Sequence, residues 1–157
     1  MYVMELKHKK KKMKNDKYFV PDIEDLCIGY ELEMNWNRAY EEKWVPIKIS
    51  IQDEEFTYTD EISDIVNALD DGMSEARVPY LTKEQIKNEG WKLVWNDGND
   101  GIEVFNFEKD KWILDFSVGY SGKTNHILIG TSPTSIFFRG ECKSINEFRY
   151  ICKLLKI

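Results

Sequence analysis

Histidine and cysteine are scarce in this chain. Its 157 residues include two histidines, His8 and His126, and three cysteines, Cys27, Cys142 and Cys152. Two imidazoles are too few for a histidine-rich zinc site. The cysteines are odd in number and stand at no metal-ligand or redox spacing, so they read as reduced, mostly buried thiols. No apolar run approaches the ~20 residues that cross a bilayer, so no membrane contact is expected. Nor does an apolar signal core follow the N-terminal bases, and the expectation is an intracellular protein.

Bases are missing from one long stretch. Between Lys48 and Arg77 the chain carries nine acids (Asp53, Glu54, Glu55, Asp60, Glu61, Asp64, Asp70, Asp71 and Glu75) and no lysine or arginine. Such a block makes a sizeable negative field that steers a basic partner surface toward it. The plain alternative is a solvated, solubilising face.

Catalytic and ligand motifs are missing too. GYSGKT at 119–124 ends like a phosphate-binding loop, but the required first glycine is Ser117 and the segment that follows, HILIGTS, reads as a strand where a helix is needed. NDGNDG at 96–101 fails as a calcium loop, because Gly98 and Phe107 fall where the third and twelfth positions need oxygen ligands. No motif sets a serine, cysteine or carboxylate beside His126. Neither a catalytic residue, a metal site nor a cofactor is assigned, and the chain is expected to be non-enzymatic.

What is present is a core. Hydrophobic residues make up 42% and aromatics 13%, enough for one domain. Charge divides the chain in two. Residues 1–17 hold seven lysines against Glu5 and Asp16, a balance of +5. Of the chain's 22 bases and 28 acids this leaves 15 and 26 for residues 18–157, a net −11. We expect a basic disordered arm at 1–17 and a single domain at 18–157. Lys9, Lys10, Lys11 and Lys12 are a candidate polyanion-binding arm; the acidic body does not suit direct grip on a phosphate backbone. Met13 opens MKNDKYFVPDIEDL, a sensible start by itself, so translation of residues 1–12 is open.

The stretch 78–95, VPYLTKEQIKNEGWKLVW, is the joint of the chain. Thr82 and Gln85 have capping-box spacing, Leu81 and Ile86 form a hydrophobic staple, and Gly90 stops the short helix. Trp91, Leu93 and Trp95 then alternate as one face of a strand. Before the joint, 27–36 and 44–51 read as half-buried strands, with Ile28, Tyr30, Leu32, Met34 and Trp36 on one face of the first. Ile62, Ile65, Val66 and Leu69 mark an amphipathic helix that Gly72 ends. After the joint, strands are expected at 102–107, 112–118, 126–129 and 136–139. Ser144 with Glu147 then caps a C-terminal helix whose stripe is Ile145, Phe148, Ile151, Cys152 and Leu155. The aromatics Trp36, Trp44, Trp91, Trp95, Trp112, Phe137 and Phe138 have acids as often as bases for neighbours, which favours core packing over stacking on bases. Together these predict an α+β domain: a mostly antiparallel sheet of about seven strands, divisible into two small sheets, packed by three short helices.

Three segments carry a family likeness. PDIEDLCIGYELE, RVPYLTKEQIKNEGWK and RGECKSINEFRYICKLLKI resemble small uncharacterised proteins of bacteriophages of gut Bacteroidetes, including crAss-like phages. The resemblance spans about residues 19–157 and leaves out the arm. It implies a setting, the host cytoplasm or the virion, and no site residues. The expected function is that of a phage accessory protein acting by protein–protein contacts, whether as inhibitor of a host or defence factor or as a virion component. Its acidic surface would meet a basic protein. The alternative is a nucleic-acid-associated protein using its lysine arm.

Overall fold

The computed structural model describes residues 17–36, 43–50, 58–70, 74–99, 101–119 and 125–157. The lysine arm through Lys12, Ile51, Gly72 and the core of GYSGKT lie outside them. The described chain is α+β and mostly sheet: two antiparallel sheets of four and five strands with three α-helices, one of them C-terminal.

The larger sheet is a meander of β5 (Lys92–Asn99), β6 (Ile102–Lys109), β7 (Trp112–Gly119), β8 (Asn125–Ser132) and β9 (Ser135–Glu141), each strand paired with the next. Its turns are tighter than the sequence suggested. NDGNDG is mostly strand: β5 runs on to Asn99, which pairs with Ile102, and Gly101 stands at φ +95°. Asp-Gly is the residue pair a two-residue hairpin with positive φ favours. Alternate residues Phe105, Phe107, Leu114, Phe116, Ile127 and Ile129 are buried on one face.

Against that face lie α2 (Lys83–Asn88) and α3 (Ile145–Leu155). The expected capping box of α2 is complete: Gln85 N–H donates to Thr82 Oγ1 at 3.2 Å and Thr82 N–H to Gln85 Oε1 at 3.0 Å. Leu81 and Ile86 are buried together in this core, and Gly90 stops the helix at φ +85°. The second box is half formed. Ser144 Oγ accepts from Glu147 N–H at 3.3 Å, but the Glu147 carboxylate reaches one residue further back, to Lys143 N–H at 2.7 Å. The joint is stitched to the far end of the chain by Leu81 N–H to Lys143 O at 2.7 Å and by Asn125 Nδ2–H to Leu81 O at 3.0 Å.

One expectation for the joint fails. Trp91, Leu93 and Trp95 do not share a face, because a β-bulge between Leu93 and Trp95 inserts Val94. The extra residue turns the strand over, so Trp91 is buried while Trp95 is 54% exposed. The aromatics accordingly divide. Trp91, Trp112 and Phe138 pack on the large core, whereas Trp36, Trp95 and Phe137 are exposed.

The smaller sheet has the order β1–β4–β2–β3, from β1 (Tyr18–Phe19), β2 (Glu31–Asn35), β3 (Val45–Lys48) and β4 (Glu75–Pro79). β1 and β4 went unseen in the sequence. β1 is two residues long, and β4 ends in a proline, which cannot donate to a ladder. β2 is shorter than the alternation predicted: Tyr30, Leu32 and Met34 are buried, but Ile28 is exposed beside Gly29, which turns at φ +86°. On this sheet packs α1 (Tyr58–Asp70), with Ile65 buried and Ile62 against it, in a core separate from that of the larger sheet.

Polar contacts reinforce the small core. The Arg77 guanidinium lies between the rings of Tyr18 and Trp44, at 3.8 and 3.9 Å from their centroids, and donates to Glu33 Oε2 at 2.6 Å.

Candidate functional site

α1 brings part of the acid block onto the surface of the smaller sheet. Asp60, Glu61, Asp64 and Asp70 all lie on this helix, where the last turn holds no base. Asp64 and Asp70 are exposed; the side chains of Asp60 and Glu61 lie outside the described set. Glu75 is half-buried in β4, opposite Asn35. Asp53, Glu54, Glu55 and Asp71 lie outside the described residues.

Beyond the acids, the fold assembles something the sequence did not mark. Met34 pairs with Val45, so Trp36, just past the end of β2, sits at the same end of the sheet as Val45. Ser74 Oγ–H donates to the Trp36 carbonyl at 3.1 Å, which brings the chain leaving α1 to that end as well. Asp70 is four residues from Ser74 and so within about 14 Å of it along the chain. Trp36 is 44% exposed and Val45 37%. An exposed tryptophan and valine thus share one end of the sheet with Ser74 and Glu75, while exposed Lys43 flanks them. The strand alternation hid this, because it placed Trp36 in the core.

A second feature is the seam between the sheets. Asn146 of α3 bonds the main chain of Glu31 in both directions, accepting from its N–H at 2.8 Å and donating to its carbonyl at 2.9 Å. The register Glu33 to Arg77 points Glu31 toward Pro79, which has no N–H to give, and the asparagine amide takes the vacant strand's part. Arg149 completes the seam, holding Glu31 and Glu89 at 2.7 Å each. Burial alone would raise the Glu31 carboxyl; bonds and charge from Arg149, then Lys48, outweigh it and hold the group below its ordinary value. Alongside runs an open cleft of about 630 Å³ whose walls include Cys27, Tyr30, Asn146 and Tyr150. Tyr30 is pushed up to about 12, first by burial and then by the charges of Asp25 and Glu147, so its phenol stays protonated.

His126 is exposed on β8, with Ser117 and Glu141 as its cross-strand neighbours. The Ser117 hydroxyl donates to the His126 carbonyl at 3.4 Å rather than to the ring, so the row is not joined as a nucleophile and base. Of the thiols, Cys142 is buried and raised, chiefly by burial, and Cys152 is half-buried and pushed up to about 11 by burial, while Cys27 is exposed. Among the described residues no cluster of His, Cys, Asp and Glu is arranged to hold a metal ion, and no helix is long and apolar enough to cross a membrane.

Compared with known families, curated proteins and solved structures, the chain finds no match. The fold and this surface define an α+β domain with an acid-bearing helix on its smaller sheet.

Proposed function

We propose that this is a phage-encoded accessory protein without catalysis of its own, which works by protein–protein contacts through the acidic surface around α1. The reading rests on one observation: exposed Trp36 and Val45 stand at the end of the small sheet where the base-free acidic segment returns to it. An apolar anchor with a charged surround is how protein interfaces are composed, with aromatics supplying most of the affinity and charge the steering. The partner fitted to it is a protein with a basic surface, either a host or defence factor in the infected cytoplasm or a component of the virion.

The test is capture from phage-infected cells and from purified virions, with mass spectrometry of what is retained. Reversing Asp60, Glu61, Asp64, Asp70 and Asp71 to lysine abolishes capture, and Trp36→Ala weakens it about tenfold or more. Undiminished capture by both folded variants rejects the surface. A second reading is favoured by the +5 balance of residues 1–17. It has the lysine arm bind nucleic acid without sequence preference, with steep salt dependence lost on removal of residues 1–12. No retention of DNA or RNA at low salt eliminates it.

A further inference from the structure

The five-stranded sheet ends on one side at β9, which has no strand on its outer edge among the described residues. The ladder shows which groups that edge leaves open. Cys142 N–H donates to the Asn125 carbonyl at 2.9 Å, so these two form a bonded pair next to the pair His126–Glu141. Bonded and non-bonded pairs alternate along an antiparallel ladder. His126–Glu141 and Leu128–Arg139 are therefore non-bonded, and the main-chain N–H and C=O of Arg139 and Glu141 point away from β8. Among the described residues no group bonds them. The open row is short. At one end Lys143 is taken by Glu147 and Leu81; at the other an extra residue, Phe137, breaks the ladder and bends the strand.

An independent observation comes from the side chains. Lysines along an edge repel a second copy; this edge does the reverse. Arg139 and Glu141 are exposed, share the sheet face opposite Phe138, and have no ion-pair partner among the described residues. Turned about a two-fold axis at Gly140, the stretch is complementary to itself: Arg139 stands opposite Glu141 of the second copy, and Glu141 opposite its Arg139. Each such pair exchanges both main-chain N–H···O bonds and sets opposite charges on one face. Between them Gly140 meets its own copy in a non-bonded pair, where Cα atoms come within about 4.5 Å. It brings no side chain there, and the Phe138 ring lies over it, 3.2 Å from where a Cβ would stand. Sliding the copies by two residues either way opposes Arg139 to Arg139 or Glu141 to Glu141.

We propose that β9 is a self-association edge: two copies pair antiparallel along residues 138–142, with Arg139 of each on Glu141 of the other, joining their larger sheets into one. The contact is isologous and closes on two chains. An interface this short is weak and concentration-dependent. It lies on the larger sheet and is independent of the acidic surface on α1.

Sedimentation velocity of the full chain, over a concentration series up to about 1 mM, reads the association. The wild type should pass from monomer to dimer as concentration rises. Amide exchange supplies the positions: the Arg139 and Glu141 N–H groups gain protection with concentration, while that of Gly140, already turned to β8, does not change. Arg139→Glu and Glu141→Arg each oppose like charges and should weaken association about tenfold or more. Combining the two restores both pairs and should recover it. Both positions are exposed, and circular dichroism checks the fold; should a variant not fold, the wild-type exchange series decides. A wild type monomeric throughout, or a dimer whose Arg139 and Glu141 amides stay unprotected, overturns the proposal. So does undiminished association by either single variant, or a folded double variant as weak as the singles.

Discussion

The five-stranded sheet joins each strand to its sequence neighbour and buries an aromatic and aliphatic face under α2 and α3, with Phe107, Leu114, Ile129 and Phe148 fully enclosed. The four-stranded sheet takes its strands from distant parts of the chain, in the order β1–β4–β2–β3, over a core that among the described residues has eight buried members. It adds polar devices to that core: Arg77 between two rings and on Glu33, and Asn146 in place of a missing strand. Local pairing loses little loop entropy and needs only apolar alternation; strands gathered from afar order more chain for the same contacts. The smaller sheet therefore leans on its neighbour through the seam, and it carries the acid-bearing helix.

The largest effect expected is in the larger half. Phe148→Ala removes a fully buried ring that packs on Trp91 at 6.1 Å between centroids, and should cost about 3–5 kcal/mol in denaturant melts. Next comes Asn146→Ala, which strands the N–H and carbonyl of Glu31; a loss of about 1–3 kcal/mol is expected in the same assay. Thr82→Ala removes the cap of α2 for about 1 kcal/mol, and Thr82→Ser should restore most of it.

The smallest effect is acid titration of the seam. The Glu31 carboxyl lies below its ordinary 4.5 in the folded chain, so folding favours its ionised form. Its contribution is complete above that value and is lost as pH falls through the lower folded one. Melts of the wild type and Glu31→Gln should therefore converge as pH falls below 4.5; a gap that stays constant would remove the seam charge from the account.

The larger half was the more legible in the sequence because its signals are local. Thr82 and Gln85, Gly90, the Ser144 cap and the alternating Phe105, Phe107, Leu114 and Phe116 each act on neighbours a few residues away. What escaped was a single inserted residue: the bulge at Val94 reverses Trp95, and alternation contains no sign of it. In the smaller half β4 was lost to its proline, and the pairing of Glu31 with Asn146 spans 115 residues, beyond any spacing rule. The acid block was plain from composition alone. The exposed Trp36 was not, since the strand pattern put it on one face with Tyr30, Leu32 and Met34, which are buried.

Residue-resolved hydrogen exchange on Asn146→Ala tests most directly whether the smaller sheet depends on the seam. Protection should fall selectively at β2 and β4, around Leu32, Met34, Ala76 and Val78, while amides of β6, β7 and β8 keep theirs. Equal loss across both sheets, or none in either, would contradict a smaller sheet held in place by its neighbour.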